Sequence, residues 1–253
     1  MGVEPARLSG LVVTGTDTGV GKTAIITRLV RLWRARGIAL AALKPIASGG
    51  LMRDGELVSD DTLALQAALG GEPPARLITP LVYEAPLAPN LAARAVNHLL
   101  FLDEIVRGAQ ACIQEWPTPV THVLIEGVGG FSCPIAEDAT FADLAIVLDF
   151  PVLVVARAGL GTLNHTMLTV EAIQRRGLRV AGIVLNAPSP EIESDRSRHG
   201  NPAELARRLG GVGPIVSVCY NEQALDPDPG LSSLDPTNVS QPARTGIFAP
   251  NTT

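Results

Sequence analysis

Apolar positions along the chain fall into two alternating patterns. Short continuous apolar runs at 11–13, 38–43, 122–125, 152–156 and 180–185 have the length of buried parallel strands. Between them lie stretches of helical period. After the first run, Ile25, Ile26, Leu29, Val30 and Trp33 line one face of a helix that Gly37 closes. The same reading predicts helices over 62–69, 101–115, 165–176 and 202–209, the third stopped by Gly177. Strand and helix in alternation define an α/β fold, a doubly wound and mostly parallel sheet with helices on both faces. No internal repeat is visible. From Asp226 the chain turns rich in Pro, Asp, Ser, Thr and Asn, so residues 1–225 are expected to form a single domain and 226–253 a loosely ordered tail.

Composition removes several classes of function. The 253 residues suffice for a full-sized core. No apolar run approaches the roughly 20 residues of a membrane span, and the first residues lack the pattern of a signal peptide. A cytoplasmic protein with no membrane partner is expected. A net charge of −5 gives no overall attraction for nucleic acid, and Arg28, Arg31, Arg34 and Arg36 read as the solvated side of the first helix. Small molecules are the expected partners. Cys112, Cys133 and Cys219 stand far apart, and His98, His122, His165 and His199 form no ligand pattern, so neither disulfides nor structural zinc is expected.

Chemistry concentrates where the predicted strands stop. The first strand runs into Thr14-Gly15-Thr16-Asp17-Thr18-Gly19-Val20-Gly21-Lys22-Thr23, a turn of small residues that opens the first helix. Such a turn lets backbone N–H groups curl around phosphate, adds the positive end of the helix, lets Lys22 reach the terminal phosphates and gives Mg²⁺ the Thr23 hydroxyl. A nucleoside triphosphate, ATP or GTP, is therefore implied. The usual pattern places four residues between its first glycine and Gly-Lys, whereas Gly15 leaves five. The other strands end at Lys44-Pro45, Glu126-Gly127 and Asn186, and in a doubly wound sheet these termini share the edge that carries the phosphate loop. Glu126, followed by Gly127, Val128, Gly129 and Gly130, is placed to act as a carboxylate beside the nucleotide. Asp60 and Asp61, ahead of a helix, either bind metal or cap the helix. Asn186 either hydrogen-bonds a base edge or satisfies backbone groups at the strand end.

In this order the motifs resemble the dethiobiotin synthetase family of P-loop NTPases. The resemblance spans most of the chain and rests on the five-residue loop spacing, Lys44-Pro45-Ile46-Ala47-Ser48-Gly49, Ser59-Asp60-Asp61 before Leu63-Ala64-Leu65-Gln66, and Glu84-Ala85-Pro86-Leu87-Ala88-Pro89. It continues through Glu126-Gly127-Val128-Gly129-Gly130, Phe141-Ala142-Asp143-Leu144, Gly159-Leu160-Gly161-Thr162-Leu163-Asn164-His165 and Gly182-Ile183-Val184-Leu185-Asn186.

The resemblance implies that 7,8-diaminononanoate, CO2 and ATP give dethiobiotin, ADP and phosphate through a carbamate and a carbamic–phosphoric anhydride. It makes Lys22 and Lys44 the catalytic charges and assigns Thr23, Asp61 and Glu126 to Mg²⁺, choosing Asp61 over Asp60. It gives Gly19, Val20, Gly21, Lys22, Thr23, Ala24, Asp61, Glu126, Gly127, Val128, Gly129 and Asn186 to the nucleotide and its metal, Asn186 at the adenine. Thr18, Lys44, Ser48, Leu160, Gly161 and Asn164 go to the substrate, the last three receiving its carboxylate across a homodimer interface. Arg157, just upstream, either assists there or is a surface residue.

Two departures stand out. Residues 214–220, Pro-Ile-Val-Ser-Val-Cys-Tyr, lack the family's Ile-Pro pair near the adenine, and the tail lacks its closing helix. Partition-type ATPases share the architecture but carry an extra lysine early in the loop, where Thr16, Asp17 and Thr18 stand here. Cobyrinate amidases need a glutaminase domain for which this chain has no room, and a pseudoenzyme would not keep Lys22, Thr23, Lys44, Asp61 and Glu126 together.

Overall fold

A computed structural model of the chain describes residues 8–220, 231–242 and 248. In chain order the elements begin with β1 (Ser9–Gly15), α1 (Lys22–Ala35), β2 (Leu40–Leu43), β3 (Ile46–Ser48), β4 (Leu51–Arg53) and β5 (Glu56–Val58). They continue with α2 (Asp60–Ala68), α3 (Ala75–Ile78), β6 (Leu81–Tyr83), α4 (Pro89–Ala95), α5 (Leu102–Gln114), β7 (His122–Gly130) and α6 (Phe141–Leu148). The last group is β8 (Val152–Arg157), α7 (Thr162–Arg175), β9 (Val180–Asn186), α8 (Pro190–Glu193), α9 (Asn201–Arg208), β10 (Ile215–Val218), α10 (Pro236–Val239) and β11 (Gln241–Pro242).

Six parallel strands lie in the order β10-β9-β8-β1-β7-β2. From β1 the chain goes to the edge strand β2, returns between the two as β7, then crosses β1 and winds outward through β8, β9 and β10, so the expected doubly wound sheet is present, with its switch point at β1. Both faces of the central strands are covered, which is why β1, β8 and β9 read as continuous apolar runs. On one side the α1 face made of Ile25, Ile26, Leu29, Val30 and Trp33 packs with Leu11, Val13 and Leu124. On the other, α5 and α6 contribute Ile105, Ala109, Phe141, Leu144 and Leu148 beside Val12, Val123 and Ile125. No helix among the described residues is long and apolar enough to cross a membrane.

Where the sequence places the second strand at 38–43, only Leu40–Leu43 is extended, because Ile38 N–H still closes the end of α1 on the Trp33 carbonyl at 3.0 Å. The helix expected at 165–176 begins three residues earlier, at Thr162, behind Gly161 in the left-handed region with φ 93°. Two small pairings lie outside the main sheet. β3 runs parallel to β6, with Ser48 opposite Tyr83, and β4 forms a hairpin with β5.

The tail departs from expectation. Residues 231–242 fold back onto the core, burying Leu231, Leu234 and Val239. Trp33 Nε1–H donates to the Leu234 carbonyl at 3.1 Å, and Arg36 pairs with Asp235 at 2.5 Å. β11 pairs antiparallel with Ser9 and Gly10 of β1, at the end of that strand which β8 does not reach. Three apolar side chains among polar ones are enough to anchor a segment whose composition reads as disordered. The remainder of 226–253, apart from Phe248, lies outside the described residues.

Candidate active site

The phosphate loop leaves β1 at Gly15 and closes at Lys22, the first residue of α1. Gly19 and Gly21 adopt positive φ, 71° and 95°, which lets the backbone double back before the helix begins. At Gly21 there is also no space: a Cβ would come 2.1 Å from Asn186 Nδ2. Asn186, at the end of β9, donates that amide to the Val20 carbonyl at 2.9 Å. The amide of Asn186 thus satisfies a loop carbonyl, and its carbonyl oxygen is not engaged in that bond. Lys22 curls over the loop and donates to the Asp17 carbonyl at 3.2 Å. Burial first, and then the neighbouring Lys44 charge, lower its pKa from the ordinary lysine value.

Behind the loop, four polar side chains meet, from α1, α2, β7 and the residue that follows β2. Lys44, directly after β2, places Nζ 2.9 Å from Glu126 Oε1 and 2.7 Å from Asp61 Oδ2. Burial alone would lower the Lys44 pKa, but the Glu126 and Asp61 carboxylates outweigh it and hold the amine protonated above its ordinary value. Asp61 moves the opposite way: burial would raise it, and the Lys44 charge keeps its carboxyl below the usual range. Glu126, fully enclosed in β7, is pushed up by desolvation despite Lys44. Asp61 enters because Ser59 caps α2 by accepting the Thr62 N–H, so that the first turn faces the loop. Asp60 turns outward to pair with Arg53 and is largely exposed. The geometry thus separates the two aspartates.

Thr23 completes the cluster. Its Oγ1 lies 2.7 Å from both Asp61 Oδ1 and Glu126 Oε1. A hydroxyl has one proton to donate, so one of these short oxygen contacts needs a further proton or a cation. Glu126 Oε2, buried in the same place, has no hydrogen-bond partner. One hydroxyl, two carboxylates and an orphaned oxygen suit a small hard cation. Among the described residues no group of three or more His, Cys, Asp or Glu forms a cage, so such an ion would complete its shell with phosphate oxygens and water.

The other expected residues lie around this centre. Gly127, Val128 and Gly129 continue β7 past Glu126. A Cβ at Gly129 would stand 2.9 Å from Cys133 Sγ and 3.7 Å from Thr18 Oγ1, which puts both side chains beside the loop. Ala24 follows Thr23 inside α1, and Ser48 ends β3 half-buried. Leu160, Gly161 and Asn164 do not join the buried cluster. They stand at the exposed start of α7, Leu160 with 88% of its surface accessible. The Leu160 N–H is already engaged, donating to Asp195 Oδ2 at 2.8 Å. Sequence reading missed Asp195 and Asn201, which hold this turn, and Cys133. The available signals were Asn201-Pro202 at a helix start and Asp195 two residues before Ser197, whose N–H it accepts.

Residues 9–227 match the AAA domain family. A protein from Anaeromyxobacter dehalogenans (strain 2CP-C), named ATP-dependent dethiobiotin synthetase BioD, is 48% identical over 79% of this chain and 85% of its own. One of the same name from Anaeromyxobacter sp. (strain Fw109-5) is 45% identical over 84% of this chain and 91% of its own. The cell division protein ftsY from Thermotoga maritima overlays at a TM-score of 0.46 with 14% identity, covering 97% of this chain and 68% of that one. With nearly half of its residues shared over most of its length, the chain belongs to the ATP-dependent dethiobiotin synthetase family.

Proposed function

We propose that the chain is an ATP-dependent cyclo-ligase of biotin biosynthesis that converts 7,8-diaminononanoate and CO2 to dethiobiotin, releasing ADP and phosphate. The observation that carries this reading is the Lys44 ammonium, buried and held protonated between Glu126 and Asp61 behind a phosphate loop. An amine of the substrate adds CO2 to give a carbamate, a carbamate oxygen attacks the γ-phosphorus of ATP with loss of ADP, and the second amine closes the cyclic urea with loss of phosphate. Negative charge gathers on phosphate and carbamate oxygens throughout. Fixed cations and backbone donors aimed at those oxygens lower the barrier without any covalent bond to the protein.

Each residue has a defined task. Loop N–H groups at 19–24 cradle the phosphates, and Lys22, released from the Asp17 carbonyl, turns its ammonium to the β- and γ-oxygens. Lys44, fixed in direction by two carboxylates, presents charge to the carbamate and the transferring phosphoryl group. Thr23, Asp61 and Glu126 would hold Mg²⁺, which when bound neutralises phosphate charge. Asn186 would turn its free carbonyl oxygen to the adenine amine while its amide keeps hold of Val20. Thr18 and Ser48 contact the diamine end. The turn ahead of α7, with Leu160, Gly161 and Asn164, receives the carboxylate of a substrate bound mainly to a second copy of the chain, and the exposed Leu160 and Leu168 suit a buried place in that dimer.

Phosphate release measured with the diamine and bicarbonate supplied separately and together tests this reading. Release only when both are present is expected. Brisk ATP hydrolysis that ignores the diamine would overturn it.

A further inference from the structure

We propose that Asp195 and Asn201 are positioning residues for the substrate carboxylate, clamping the turn at 158–161 so that its remaining donors face outward. This rests on the reading of that turn as the carboxylate site.

The turn joins β8 to α7, and besides the bonds that the start of α7 makes to the Gly159 and Gly161 carbonyls, the side chains that hold it come from neither element. On the carbonyl side, the buried Asn201 Nδ2 donates to the Ala158 carbonyl at 2.8 Å and reaches the Gly159 carbonyl at 3.5 Å. On the N–H side, Asp195 Oδ2 accepts from Leu160 at 2.8 Å, while its Oδ1 accepts from Ser197 at 2.8 Å and so fixes the carboxylate plane. A third tie, Ala158 N–H to the Asn186 carbonyl at 2.8 Å, joins the turn to the strand end that braces the phosphate loop. A side chain at Gly159 would press on the clamp itself, its Cβ lying 2.7 Å from Asp195 Oδ2 and 3.2 Å from Ile192 Cδ1. The N–H bonds from Leu160 and Ser197 also keep the Asp195 carboxyl below the usual range, so it remains a charged acceptor at neutral pH.

This arrangement decides which donors are left. The Leu160 N–H is spent on Asp195 and the Thr162 N–H on the Gly159 carbonyl at 3.2 Å, so an incoming carboxylate meets the N–H groups of Gly161, Leu163 and Asn164, together with the Asn164 amide. Their direction is set by the backbone at 158–161, and that backbone is set by Asp195 and Asn201. A loosened turn would lose binding of the remote carboxylate equally in the ground and transition states. The cost then falls on KM for the diamine and spares kcat.

Steady-state kinetics of the full chain with 7,8-diaminononanoate and with octane-2,3-diamine, the same diamine without its carboxyl group, test the assignment. Asp195→Ala is expected to raise KM for diaminononanoate by about tenfold, the scale of one charge-assisted hydrogen bond, with kcat within about twofold and KM for ATP unchanged. Asp195→Asn, which keeps an acceptor for Leu160, should restore most of the affinity. With octane-2,3-diamine, wild type and Asp195→Ala should be alike. Asn201→Ala carries the same expectation from the carbonyl side if Asp195→Ala folds poorly. An unchanged or lowered KM for diaminononanoate, or an equal loss on both diamines, overturns the positioning role in an active enzyme. A wild type that releases no phosphate in response to diaminononanoate would instead sink the functional reading beneath it.

Discussion

The side-chain amide of Asn186 donates to the Val20 carbonyl at 2.9 Å, so the end of β9 supports the phosphate loop from below. Contact is closest at Gly21, where φ is 95° and no Cβ fits. Gly21→Ala is expected to cost about 1–3 kcal/mol in backbone strain, with further loss from pushing Asn186 aside. Urea denaturation together with ATP titration checks it. Wild-type stability and affinity in the variant would refute the contact.

Lys44→Ala should lower turnover by about 10²–10³-fold, the effect of removing one preorganised donor to the transition state. It also leaves Glu126 buried without its counter-charge, a loss of about 3–5 kcal/mol before relaxation. The folded-state pKa of Glu126 already lies above its unfolded value, and removing Lys44 raises it further. The folded variant therefore holds a proton more tightly than the unfolded chain. Its stability deficit should be full above the raised pKa and shrink as pH falls through it towards the unfolded value of 4.5. Parallel melts at pH 8 and pH 5 of the metal-free protein measure this, and a deficit that grows on acidification would contradict it.

The two neighbouring aspartates should separate cleanly. Asp61→Asn removes the charge of a carboxylate whose Oδ1 meets Thr23 and whose Oδ2 meets Lys44, and is expected to raise the Mg²⁺ concentration for half-maximal turnover at least about tenfold, as the loss of a charged contact does. Asp60→Asn touches only the exposed Arg53 pair and should leave it unchanged. A larger defect at Asp60 would reverse the assignment.

Leu234 is fully buried, and its carbonyl accepts from Trp33. Leu234→Ala is expected to destabilise the protein by about 2–5 kcal/mol, as for other core leucines. A change below about 0.5 kcal/mol, typical of surface positions, would mean that the segment does not stay on the core.

Five of the six parallel strands were legible in the sequence because they are buried on both faces and run into glycine or into charged or amide residues, whereas β10, with Ser217 exposed, carries no such run; Lys44, Glu126 and Asn186 could be placed on one edge from topology alone. Asp61 was separable from Asp60 only by likeness to a family, since spacing gives both the same place at a helix start. Other parts left no periodic signal. β3 and β6 have three residues each, too few for a pattern, and their pairing joins Ser48 to Tyr83 across a long stretch of chain. α6 was recoverable from Thr140 and Asp143, whose capping box opens the apolar run 141–148. Asp195 sits in the polar run Glu-Ser-Asp-Arg-Ser-Arg-His, where nothing local distinguishes a residue that accepts a distant backbone N–H from one that faces water.

Strands β1 and β11 bring residues 9–10 against 241–242, nearly the whole chain apart in sequence. On the ribosome, β1 and the phosphate loop emerge early, but the edge at Ser9 and Gly10 stays open until the last described strand has been made. During that interval α1 lacks its contacts with Leu234 and Asp235, which grip the end of the helix opposite Lys22. The end of the helix that opens at the phosphate loop is thus gripped by a carbonyl that the ribosome delivers 201 residues after the tryptophan whose N–H it accepts.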